Sequence, residues 1–173
     1  AVPAQVEGGP LLLVVALALS AIGDAFLAQE GEKAFLGGLA SFLVAHLAYV
    51  ALFVATGAGT EILAVQPWRL ALPVAVTLAA LPLLRRLLPA AGPDMRPAVG
   101  AYAAAILAMM WSSATVAAPL VMVGAAMFVV SDAILATAKF LFAPASRHHS
   151  WAAPSVWVLY YLAQVAITLA FIL

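Results

Sequence analysis

Apolar residues in this chain run in blocks near twenty residues long, about the length that spans a bilayer, and this limits the available folds more than any other feature. A helix on the surface of a soluble domain interrupts its apolar face with charged residues at helical spacing, whereas these blocks are apolar all round. Hydrophobic residues make up 67% of the chain and charged residues 8%. Soluble domains hold roughly 45–50% and 25%, so the expectation is an all-α, polytopic transmembrane helix bundle in which residues 1–173 form a single domain. The blocks predict six spans, about Leu11 to Ala28, Ala34 to Thr56, Leu70 to Leu88, Pro97 to Ala117, Pro119 to Phe142 and Pro154 to Leu173. Pro73 and Pro82 fall inside the third, which membrane helices tolerate where neighbours re-satisfy the freed backbone groups.

The few charges fix an expected orientation. Lys33, Arg85, Arg86, Arg96, Lys139 and Arg147 fall in or beside the first, third and fifth loops, and Arg69 alone lies on the other side. The positive-inside rule then puts those three loops in the cytoplasm and both ends of this chain outside. Seven basic and seven acidic residues cancel, leaving no basic surface for nucleic acid. The absence of Cys excludes disulfides and thiolate chemistry. The chain starts at Ala1 without an initiator Met, and AVPAQVEGGP lacks the basic stretch of a signal peptide, so a trimmed chain is expected.

Against this background Asp132, in the middle of AMFVVSDAILA, requires a reason. An acid at bilayer depth costs roughly 2.5–3.5 kcal/mol on insertion scales, and it normally faces a cavity or a partner. The pattern occurs twice: Asp24 in ALSAIGDAFLA carries the same Asp-Ala-x-Leu-Ala flank. Counting about 1.5 Å per residue from the cytoplasmic ends puts Asp24, His46, Tyr102, Asp132, Tyr161 and Gln164 in one slab between the interface and the midplane. Faces agree with depths. Gly38, Phe42, His46 and Tyr49 recur at helical spacing on the second span, and Trp157, Tyr160 or Tyr161, Gln164 and Thr168 on the sixth. Of the two tyrosines, Tyr161 is preferred for its spacing to Gln164. Lys139 lies seven residues beyond Asp132 on the same face, where a cation can hold a phosphate at the mouth of a site while the acid lies deeper.

Plainer readings exist for each residue. Either acid can be held by Ser, Tyr or Lys simply to fix helix packing, and a lone intramembrane His can hydrogen-bond across helices. Trp68, Trp151 and Trp157 read as interfacial or packing residues. The His148-His149 pair has no third ligand nearby and reads as solvated loop rather than a metal site.

At these residues the chain resembles the YhhN-like family of integral membrane proteins, whose animal members are lysoplasmalogenases. The matching pieces are Ser20-Ala-Ile-Gly-Asp24-Ala-Phe-Leu, Phe42-Leu-Val-Ala-His46-Leu-Ala-Tyr49, Gly124-Ala-Ala-Met-Phe-Val-Val-Ser131-Asp132-Ala-Ile-Leu and Tyr160-Tyr161-Leu-Ala-Gln164, in order over nearly the whole chain. Family members usually carry one or two further spans before the Gly-Asp motif. The resemblance implies hydrolysis of the vinyl ether bond of a lysoplasmalogen taken from the bilayer, releasing a fatty aldehyde and a glycerophospho-head group. That reaction needs a proton donor to carbon, a stabiliser for the oxocarbenium ion and a positioned water.

Two carboxylates in unlike surroundings can divide those tasks. Asp132 is expected as proton donor and Asp24 as the carboxylate that stabilises the cation and activates water, with the reverse assignment also open. His46, Tyr161 and Gln164 complete the expected catalytic set, and Lys139, Tyr49, Tyr102 and Ser131 the substrate-binding set. The chemistry requires neither metal nor organic cofactor. The expected location is the cell membrane, with the site in the cytoplasmic half, and a homo-oligomer is left open. Two other functions fit the same residues: a proton-coupled small-molecule transporter using the acids as a relay, and a non-catalytic lipid-binding protein using them only for packing.

Overall fold

The computed structural model describes residues 8–143 and 145–173, and among these every regular element is helical. Six long helices, α1 (Gly9–Leu27), α2 (Glu32–Thr56), α4 (Ala71–Ala90), α5 (Gly92–Ser113), α6 (Pro119–Phe140) and α7 (His149–Ile172), are joined by short turns. Between α2 and α4 lie a five-residue helix, α3 (Glu61–Val65), and a 3-10 turn over Pro67–Leu70. Pro10, Pro93 and Pro119 stand in the first turns of α1, α5 and α6, where a missing N–H costs no helical bond. Pro82 and Pro89 lie inside α4 without ending it.

Five of the long helices are long and apolar enough to cross a membrane. The protein is a polytopic helical membrane protein, and its large exposed apolar side chains, among them Leu11, Val54 and Leu78, suit lipid rather than water. The helix that falls short is α5, which covers the fourth expected span but begins at Gly92, five residues before the expected Pro97, and so takes in Asp94 and Arg96. The tight turn before it is made at Gly92, whose φ of 78° is open chiefly to glycine. Helix α7 begins at His149 rather than near Pro154, so His149 belongs to its first turn and not to a free loop.

Two antiparallel pairs, α1 with α2 and α6 with α7, make the closest packing, and α5 joins them through α2, α4 and α6. Glycines permit the close approach. A Cβ at Gly124 would lie 2.7 Å from Ile167 Cγ1 and 3.0 Å from the Ala163 carbonyl, and one at Gly23 would lie 2.6 Å from the Phe42 ring. Across the middle of the bundle α2 meets α6 chiefly through side chains. Phe128, fully buried, sets its ring 4.8 Å from that of His46 and 5.4 Å from that of Tyr160.

Arg69, the one basic residue counted on the other side from the rest, is only 2% exposed. Its guanidinium donates to the carbonyls of Val116 and Ala117, each at 2.7 Å, and to Gln66 Oε1 at 2.8 Å. Those carbonyls close the chain just past the C-terminal end of α5, where a helix leaves acceptors unpaired and the dipole favours a cation.

Candidate functional site

Asp24 is the second residue of the Gly-Asp pair near the end of α1, and Gly23 is what lets the Phe42 ring of α2 approach α1 closely there. The carboxylate is exposed to a cavity and accepts a hydrogen bond on Oδ2 from the Tyr160 hydroxyl of α7 at 2.8 Å. Asp132, on α6, is 14% exposed and accepts on Oδ2 from the Tyr102 hydroxyl of α5 at 2.5 Å. His46 Nε2 stands 3.7 Å from the same oxygen, beyond hydrogen-bonding distance. Each acid is thus held through Oδ2 by a tyrosine from another helix, the neighbouring α5 for Asp132 and the sequence-distant α7 for Asp24.

Both acids line one cavity of about 590 Å³ between α1, α6 and α7. Lys139 and His149 stand on its wall toward the end of the bundle that carries the basic residues. The Lys139 ammonium is exposed and lies 4.7 Å above the centre of the Phe35 ring, a contact that holds it at the rim rather than beside Asp132. Ser131 also lines the cavity, but its hydroxyl donates to the Val156 carbonyl at 3.0 Å and so ties α6 to α7.

Other expected residues fall outside the cavity wall. His46 is fully buried behind Asp132, its ring 5.2 Å from that of Tyr102, and neither ring nitrogen has a hydrogen-bond partner. Tyr49 donates to Gln164 Oε1 in a buried bond that joins α2 to α7, and Gln164 Nε2 is left unpaired. Tyr161 does not join the group. It is 56% exposed and stacks on Trp157 at 5.7 Å, and Tyr160 takes the place expected for it. The reason is the helical angle: residues four apart lie nearer one face than residues three apart, and Tyr160 falls on the inward stripe of Ala152, Val156, Ala163 and Ile167. That stripe of small and branched side chains was the available signal. His149 and Phe128 were likewise unassigned from the sequence. Among the described residues no three His, Asp or Glu side chains converge at metal-ligand spacing.

A bundle of apolar helices enclosing a cavity lined by two carboxylates and an ammonium defines an integral membrane protein with charged groups gathered on one internal cavity. The chain belongs to the YhhN family, whose sequence profile matches residues 1–171. It is 34% identical over 159 residues to the human protein named lysoplasmalogenase TMEM86B and 38% identical over 155 residues to the protein of that name from Sus scrofa. These alignments cover 92% and 90% of this chain but 62% and 61% of the relatives, so the chain spans about three fifths of the length of the curated relatives it matches. No solved structure matches it.

Proposed function

We propose that the protein is a lysoplasmalogenase: a hydrolase that opens the vinyl ether bond of a single-chain ether phospholipid to a fatty aldehyde and a glycerophospho-ethanolamine or -choline. The observation that carries this reading is the meeting of Asp24 and Asp132 on one cavity, each with one oxygen committed to a tyrosine. Tyr102 donates to Oδ2 of Asp132, which leaves Oδ1 as the atom to carry a transferable proton. Asp132 gives that proton to the outer carbon of the double bond, and the positive charge that develops on the ether carbon and oxygen is stabilised by Asp24. Water, activated by Asp24, adds to the ether carbon. The hemiacetal then collapses: Asp24 returns the water's proton to the departing glycerol oxygen, and the hemiacetal hydroxyl gives its proton to Asp132 as the aldehyde forms. His46 positions the acid from behind, and the Tyr49–Gln164 bond fixes α2 against α7 beneath it.

In this reading α5 makes a sixth crossing. Its 22 residues extend about 33 Å at the helical rise, and Asp94 and Arg96 reach head-group level. The basic residues cluster at the end where the cavity opens, which favours a cytoplasmic mouth in the cell membrane. The deciding experiment gives purified protein a lysoplasmalogen and an ordinary lysophospholipid side by side and scores free aldehyde. Release from the first alone is expected, and release from neither would refute the assignment.

Three substitutions separate the roles. Tyr160→Phe removes the donor to Asp24 and is expected to lower turnover by about 10- to 100-fold, the equivalent of one hydrogen bond to a charged group. Tyr161→Phe changes only an exposed stacked ring and should leave turnover unaltered; equal loss in both would reject the placement of Tyr160. Lys139→Ala removes the phosphate contact at the rim and should raise KM about tenfold with kcat little changed. A collapse of kcat at unchanged KM would show that the ammonium acts on the reaction instead.

A further inference from the structure

Asp132 is a wall shared by two spaces. On one side lies the cavity of Lys139 and Asp24; on the other, among α2, α4, α5 and α6, lies a second cavity of about 100 Å³. Their chemistry differs. Of the residues lining the second, only Tyr102 and Asp132 carry polar side chains, and these are bonded to each other; the rest are apolar, such as Leu84, Ala103 and Leu107. Leu27, Phe42 and Leu135 line both spaces, so side chains and not backbone separate them. A phosphate or hydroxyl in the second space would lose water and meet no polar side chain but this one pair, whereas an alkyl chain would lose nothing by entering it.

We infer that the cavity among α2, α4, α5 and α6 is the alkyl-chain subsite for a single-chain phospholipid whose head group occupies the cavity of Lys139. The chain passes between Leu27, Phe42 and Leu135, which puts the junction of chain and head group beside Asp132. The identity of the bond at that junction rests on the lysoplasmalogenase reading; the seating of the chain does not. The subsite's room comes from short side chains on two facing helices, Ala103 on α5 and Ala136 on α6, and Leu107 stands on its wall four residues along α5 from Ala103. KM should therefore fall as the substrate chain lengthens, by roughly fourfold per methylene buried, until the space is filled.

The test uses the full protein and a lysophospholipid with a saturated alkyl ether and a diazirine on the chain, a probe with no double bond to protonate. Irradiation should leave adducts on residues 80–87 and 99–107, displaced by excess unlabelled alkyl lysophospholipid and lost in Ala103→Phe. With lysoplasmalogens of graded length, Ala103→Phe should shift the preference to shorter chains and Leu107→Ala to longer ones. Displaceable adducts confined to α1 and α7, or an unshifted preference in Leu107→Ala, would overturn the subsite, and the second readout stands if Ala103→Phe does not fold. Displaceable adducts on α4 and α5 without aldehyde from any lysoplasmalogen would keep the subsite and reject the vinyl ether reading instead.

Discussion

Asp132→Asn and Asp24→Asn are each expected to abolish most aldehyde release, by about 10²–10⁴-fold, while the bundle stays folded. Asn keeps the size of Asp and still accepts the tyrosine hydroxyl through its amide oxygen, so the Tyr102 and Tyr160 bonds survive. What it loses is a transferable carboxyl proton in one position and a negative charge opposite the developing cation in the other. Protonation of carbon should limit the rate, so turnover in heavy water should be slower and deuterium should appear on the carbon next to the aldehyde. Unfolding is monitored separately, by elution volume and melting. Near-normal release from both variants would move the chemistry to other residues. Release that ignores heavy water and carries no deuterium would reject carbon protonation even with the substrate correct.

Arg69→Met is expected to cost about 3–5 kcal/mol of stability, the sum of two short charge-assisted hydrogen bonds at a buried site. The carbonyls of Val116 and Ala117 would lose their partner where water does not reach easily, and the turn from α5 into α6 would lose its anchor. Apparent melting should fall by on the order of 10 °C for a chain of this size. Arg69→Lys should recover only part of this, because one ammonium cannot reproduce the planar fork that spans both carbonyls and Gln66. Because neither Arg69 nor the groups it binds line the cavity, kcat of the protein that remains folded should be unaffected. Unchanged melting in Arg69→Met would show that the cap contributes nothing.

The positions of the helices were readable from the sequence because the bilayer sets one length for an apolar run, and the ends of α1, α2 and α6 fall close to where the runs stop. The starts of α5 and α7 were not, since Asp94, Arg96 and His149 are polar residues that helices carry past the apolar core. Asp24 and Asp132 stood out because their cost in such surroundings demands a partner. Tyr160 did not stand out from Tyr161, since one residue of register changes a helical face by about 100° and composition is silent on it.

The sequence by itself determined that this is a helical membrane protein, where its long apolar helices lie, and that two acids stand in matching apolar contexts within them. Local composition and spacing carry those facts. The tertiary structure alone decided which side chains meet. Tyr102 reaches Asp132, Tyr160 reaches Asp24, Arg69 turns inward onto the end of α5, and Asp132 divides a polar cavity from an apolar one. Each of these depends on how helices rotate and close on one another. That is set by glycines such as Gly23 and Gly124 and by the aromatic contacts around Phe128, interactions between residues distant in the chain.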